Sequence, residues 1–159
     1  MRKEEELLVA LRRVIRAVDL RSKQLSKDVG LTGPQLMVMQ NIEGNPGVMV
    51  REIAESINLS PATITNILDR LENRGLAQRI RSTKDKRKVS VHLTDLGYQA
   101  LETAPRPLQE HFIDRFNDLK EWEQSQMVAT MQRIATMMDA ENIDASPFLE
   151  LGSISDKTV

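Results

Sequence analysis

The 159-residue chain has no cysteine. That excludes disulfides, thiolate metal sites and thiol redox sensing. Only two histidines are present, His92 and His111, and they stand far apart. Without cysteine they offer little for a zinc site, so no metal and no cofactor is expected. Aromatic residues make up 3% of the chain against 40% hydrophobic residues. A core must therefore be built from Leu, Ile, Val, Ala and Met. No apolar run approaches the roughly 18–20 residues of a membrane span. The start, MRKEEELLVALRR, is charged and then amphipathic, unlike a signal peptide. These absences point to a soluble cytoplasmic protein with no membrane partner. Catalytic patterns are missing too: there is no nucleophile elbow or glycine-rich phosphate loop. Glu121 and Glu123 flank Trp122 but have no partner for acid–base work. The chain does not read as an enzyme.

Charge is present but unevenly placed. The formal net charge is −1. Residues 1–30 hold eight basic and five acidic side chains, residues 31–90 nine and six, and residues 91–159 five and twelve. Within 70–88, eight cations (Arg70, Arg74, Arg79, Arg81, Lys84, Lys86, Arg87, Lys88) face only Glu72 and Asp85. Attraction to phosphate depends on such local charge rather than on the total.

The pattern of elements is mainly helical. Leu8, Leu11, Ile15, Val18 and Leu25 recur at helical spacing over residues 4–28, and Gly30 is placed to stop that helix. Thr32 with Gln35 makes a capping-box pattern for a helix over about 33–43, with Leu36, Val38, Met39 and Ile42. GNPG at 44–47 breaks the chain. Thr94 caps a helix beginning DLGYQAL, and APRP at 104–107 interrupts it. Phe112, Ile113, Phe116 and Leu119 share a helical face, as do Met127, Met131, Ile134 and Met138. Pro147 and Gly152 argue against a long helix in the tail.

Residues 50–94 carry the most information. VREIAESI reads as a short helix, with Val50, Ile53, Ala54 and Ile57 on one face. Asn58 and Leu59 make a turn. Ser60 is a good N-cap and Pro61 a favoured first helical residue. Ile64, Ile67, Leu68 and Leu71 then face a core. Ala62, Thr63, Asn66 and Arg70 are left outside, with Thr65 near the edge, until Gly75 closes the helix. Two strand-like runs follow. Leu76 and Ile80 alternate with Ala77, Arg79 and Arg81, and Val89, Val91 and Leu93 alternate with Ser90 and His92. A period of two assigns each apolar set to the core. The loop between holds Lys84, Asp85, Lys86, Arg87 and Lys88, with Asp85 suited to pair with Arg81. Helix, turn, helix and basic hairpin together describe a winged helix-turn-helix. Asn, Thr and Arg are side chains that read base edges in the major groove, and a cationic tip suits the minor groove. The candidate interface is therefore Ser60, Pro61, Ala62, Thr63, Thr65, Asn66 and Arg70 on the helix, and Arg81, Lys84, Asp85, Lys86, Arg87 and Lys88 on the wing.

The stretch IAESINLSPATITNILDRLENRGLAQRIRSTKDKRKVSVHLTDLG, residues 53–97, resembles the MarR family of bacterial transcription regulators. It carries the D-x-R wing signature at Asp85, Lys86 and Arg87, and the LT-x-x-G start of the next helix at Leu93, Thr94 and Gly97. With the flanking helices the resemblance covers about residues 5–140. It implies a mainly α fold with a small β-hairpin wing, and a homodimer joined by the first and last helices. In that arrangement 1–30 and 95–145 form the helical dimerisation region, 31–94 the winged helix-turn-helix domain that binds double-stranded DNA, and 146–159 a C-terminal tail. Leu8, Leu11, Ile15, Val18, Met127, Met131, Ile134 and Met138 would form the dimer seam. The resemblance also implies Arg87 in the minor groove, and a crevice where many members bind small anionic aromatic ligands that relieve repression. Asn66 departs from the Arg of many members, so base preference should differ. The whole chain further resembles a branch controlling compatible-solute (ectoine-type) genes, through VIRAVDLRSKQL, STKDKRKV and MMDAENIDASPFLELG. The leading expectation is a homodimeric repressor on a pseudo-palindromic operator. Alternatives are a repressor relieved by a small-molecule effector, for which Met37, Met39, Met127, Met131, Met137 and Met138 offer adaptable pocket walls, and a winged-helix module that binds protein.

Overall fold

The computed structural model describes residues 2–143. The tail at 146–159, with Phe148, Leu149, Leu151 and Ile154, lies outside the described residues. Two compact units divide at Pro105 and Arg106.

In the first unit, helix α1 (Lys3–Val29) ends on Gly30 in the left-handed region, φ 65°. Helix α2 (Gly33–Gly44) begins with the reciprocal cap that the sequence announces. The Thr32 hydroxyl accepts the Gln35 amide at 3.3 Å, and the Gln35 side chain accepts the Thr32 amide at 3.1 Å. Next come strand β1 (Val48–Met49), helices α3 (Val50–Ile57) and α4 (Pro61–Asn73), strands β2 (Ala77–Arg81) and β3 (Val89–Leu93), and helix α5 (Asp95–Thr103).

One core holds this unit together. Leu31, Leu36, Val38, Met39, Ile42, Ile53, Ile64, Leu68, Leu71 and Val91 are fully or almost fully buried in it. Burying each of the larger aliphatic chains contributes roughly 1.5–3 kcal/mol. Leu25 from the end of α1 belongs to the same core, and Ala100 and Leu101 of α5 pack against it. The four apolar positions read on α4 (Ile64, Ile67, Leu68 and Leu71) all turn inward.

The sheet has three strands, antiparallel in the order β1-β3-β2. Sequence periodicity misses β1, because two residues carry no period. Val48 pairs with Val91 and Met49 with Ser90. The inward set on β2 also differs from the reading of the sequence. Leu76 is buried but precedes the strand, and Ala77 is buried as its first residue. Alternation from Ala77 places Arg79 on the partly covered side and leaves Ile80 exposed at 48%. Two consecutive inward residues at the helix–strand junction shift the phase by one.

In the second unit, APRP separates α5 from helix α6 (Leu108–Asn117), and helix α7 spans Glu121–Met137. The Phe112 and Phe116 rings stack with centroids 5.8 Å apart. The Gln124 side-chain amide donates to the Phe116 carbonyl in α6 and the Leu119 carbonyl in the turn after it, joining the two helices. No helix among the described residues is long and apolar enough to cross a membrane.

Several apolar side chains on the long helices are open to solvent. On α1 these include Leu7, Leu8, Val14 and Ile15; on α7, Trp122, Met127, Val128 and Met131. Leu11 is half-buried, Val18 and Ile134 are buried, and Met138 is exposed just after α7. Of the methionines considered for a pocket, Met39 is core, Met37 is half-buried, and Met137 is exposed.

Candidate nucleic-acid interface

The turn between α3 and α4 is set by Asn58, whose φ of 55° is left-handed. Asparagine tolerates that region better than most residues. Ser60 then caps α4: its hydroxyl accepts the Thr63 amide at 3.1 Å and lies 2.8 Å from the Thr63 hydroxyl. Pro61 and Ala62 are exposed and small, leaving the N-terminal turn open to close approach. Thr65 donates its hydroxyl to the Pro61 carbonyl at 2.9 Å, so its methyl and hydroxyl lone pairs are what it offers outward. Asn66 and Arg70 are exposed, and their side chains make no hydrogen bond to the described residues. One edge of α4 thus displays uncommitted amide and guanidinium groups.

The wing tip spans residues 82–88 and is shaped by its own polar groups. The Ser82 hydroxyl accepts the Lys84 and Asp85 amides, each at 3.2 Å. The Asp85 carboxylate accepts the Arg87 amide at 3.0 Å. Backbone bonds from Ser82 to Lys88 and from Lys88 to Asp85, both 2.9 Å, close the loop. The ion pair expected between Asp85 and Arg81 does not form. Asp85 shapes the loop instead through the backbone, as aspartate does in an Asx turn. Arg81, Lys84, Lys86, Arg87 and Lys88 all point to solvent with no anionic partner among the described residues. The one acid of the tip is spent on the main chain, so its cations stay unneutralised.

Not every basic residue in 70–88 is free. Arg79 faces α4 and binds Glu72 through both carboxylate oxygens, at 3.0 and 2.9 Å, and pairs with Asp69. Its backbone amide also donates to Glu72 at 2.8 Å. These bonds, led by the side-chain hydrogen bond, hold the Glu72 carboxyl below the ordinary carboxylate range and push the Arg79 guanidinium further up. Arg74 donates instead to the Gly30 and Val29 carbonyls at the end of α1. Neither role is visible in the sequence, where both residues look like part of a basic run. The acids seven and ten positions before an inward strand residue, Glu72 and Asp69, are the only hint for Arg79. His92 is half-buried on β3, bonded to Ser90 at 3.1 Å with its ring beside Gly47, and His111 is exposed.

The Glu72 bonds give a pH prediction. A carboxyl whose folded pKa is depressed adds stability that is complete above its unfolded pKa and lost as pH falls through the folded one. Glu72→Gln should therefore melt below the native protein at neutral pH, by about 1–2 kcal/mol of stability. The gap should close as pH drops below about 4. Thermal melts across that range check it, and a gap constant with pH would refute the assignment.

The profile of the MarR family matches residues 31–89, from just before α2 to the first residue of β3. The transcriptional regulator HosA of Escherichia coli O111:H- is 34% identical over 110 residues, 69% of this chain and 79% of HosA. The chain belongs to the MarR family. Members are DNA-binding transcriptional regulators, not enzymes. The transcriptional repressor MdtR of Bacillus subtilis (strain 168) is 38% identical over 68 residues, 43% of this chain and 44% of MdtR. Among solved structures, the regulator PcaV of Streptomyces coelicolor, in complex with its natural ligand, superposes with a TM-score of 0.56 at 25% identity. That match covers 81% of this chain and 91% of PcaV. The mainly helical fold with a small antiparallel sheet is that of MarR-family winged-helix regulators.

Proposed function

We propose that this MarR-family regulator is a cytoplasmic homodimeric repressor that reads a pseudo-palindromic operator. One observation carries this most: Asn66 and Arg70 on α4 and five unpaired cations at or beside the wing tip belong to one folded lobe. Helix α4 enters the major groove, with Asn66 and Arg70 on base edges or phosphates. Arg87 at the wing tip enters the minor groove beside it. The exposed apolar positions Leu8 and Ile15 of α1 and Met127 and Met131 of α7 support a seam with a second copy, because such stripes are unfavourable in water. The name of MdtR, a repressor, supports the sign of regulation.

Selection from random DNA followed by footprinting tests this. A dimer should protect two half-sites about one helical turn apart. Asn66→Ala should relax one base position by about 1–3 kcal/mol, and Arg87→Ala should weaken all sites by roughly tenfold. A footprint untouched by both substitutions would reject the groove assignments.

The target genes we assign to compatible-solute metabolism, on the resemblance of the whole chain to that branch. A cationic wing makes affinity sensitive to salt, which suits osmotic control. A small-molecule effector is the second reading, supported by the ligand complex of PcaV.

A further inference from the structure

We propose that Arg74 is a positioning residue that sets the angle of the recognition helix relative to α1, and so the half-site spacing the dimer accepts. This rests on the DNA-reading dimer proposed above.

Within the described residues, α1 meets the winged lobe mainly through its final turns. Leu25 is in the core and Val29 packs against it. These apolar contacts fix proximity but are non-directional. The directional link is Arg74. Its guanidinium donates to the Gly30 carbonyl through Nη1 and to the Val29 carbonyl through Nη2, the latter at 3.2 Å. Both acceptors lie at the C-terminus of α1, where free carbonyls and the helix dipole favour a cation. The other end of the link is the C-cap of α4, one residue before the left-handed Gly75. A planar fork on two consecutive carbonyls constrains rotation as well as distance. Gly30 keeps the approach open: a Cβ there would sit 3.1 Å from the Arg74 Nη2. No other side-chain hydrogen bond among the described residues ties α1 to α4. If α1 joins two copies, its angle to α4 fixes how far apart two recognition helices lie. Arg74 is the polar contact that holds that angle.

The test uses the full-length protein and the best site it selects from random DNA. That site is remade with one base pair inserted or deleted between half-sites. Native protein should discriminate against the altered spacings. Arg74→Met should lose about tenfold on the selected spacing, while its preference among spacings flattens. Its log–log salt slope should not change, because no phosphate contact is removed. Arg74→Lys, which keeps one donor group, should recover most of the discrimination. A spacing preference as sharp as native would overturn the proposal. So would a salt slope reduced by about 0.9 per lobe with spacing preference retained, which would make Arg74 a phosphate contact. A melt shift alone, with no change in spacing preference, would leave only a structural role and equally reject it. If native protein selects no site, the DNA-reading assignment itself fails, and this inference falls with it.

Discussion

Replacing Lys84, Lys86, Arg87 and Lys88 together by alanine is expected to remove most of the salt dependence of DNA binding. The free cations near the proposed reading face are Arg70, Arg81 and those four; Arg74 and Arg79 are engaged within the protein. Each phosphate-neutralising cation contributes about −0.9 to the slope of log affinity against log salt. Six per lobe give a slope of about −5, and two give about −2. Between 50 and 200 mM salt, native affinity should therefore fall roughly a hundredfold more per lobe than that of the variant. Counting all eight cations would predict a steeper native slope, near −7 per lobe. The measured slope thus separates the structural partition of charge from the sequence count. A slope unchanged by the four substitutions would remove the wing from the interface. Asp85→Ala is the matching control. Charge alone expects tighter binding, since an acid leaves the tip. Shape expects weaker binding, because the Arg87 amide loses its acceptor and the loop its turn.

Local chemistry was the legible part of this fold. Thr32, Ser60 and Thr94 each cap a helix where the sequence places them, and Gly30 and Gly75 sit left-handed at helix ends. Such signals act over three or four residues and need no tertiary partner. The core face of α4 was legible for the same reason, since Ile64, Ile67, Leu68 and Leu71 recur at helical spacing over about two turns. What stayed hidden depended on distant residues. Strand β1 exists only because β3 supplies partners, and two residues show no alternation of their own. Ile80 looked inward until Leu76 and Ala77 both claimed the core. Arg74 and Arg79 looked like a surface charge run. Their acceptors lie 44 residues away at Gly30 and, for Arg79, seven residues away at Glu72 on another element. Composition reveals that a cation is present but not whether it is already bound. The candidate interface was therefore legible as residue types on a face, and its usable charge only through the contacts.

Gly97→Ala is expected to be the most damaging single substitution in the winged lobe. Gly97 lies in the first turn of α5, where its amide donates to the Thr94 hydroxyl at 3.1 Å. The Thr94 hydroxyl in turn donates to the Gly75 carbonyl, and its amide donates to the Leu76 carbonyl at 3.1 Å. These bonds lash the start of α5 to the junction between α4 and β2. A Cβ on Gly97 would meet the Leu76 carbonyl oxygen at 2.1 Å. That atom is backbone and is itself hydrogen-bonded, so no rotamer change relieves the overlap. Overpacking usually costs about 1–3 kcal/mol, and a clash with fixed backbone belongs at or beyond the upper end. A loss of about 3 kcal/mol corresponds to a melting temperature lower by roughly 10 °C. Because the displaced junction connects the proposed recognition helix α4 to the wing, DNA affinity should fall as well, even at temperatures where the variant is folded. Gly75→Ala isolates the other use of glycine. Its φ is 70°, but a Cβ there meets nothing within 4 Å. Only the left-handed backbone is penalised, at about 1–2 kcal/mol. Melts of the two variants side by side should rank Gly97→Ala well below Gly75→Ala. An equal or reversed order would mean that α5 yields at its first turn, and that the LT-x-x-G motif is not held by close packing.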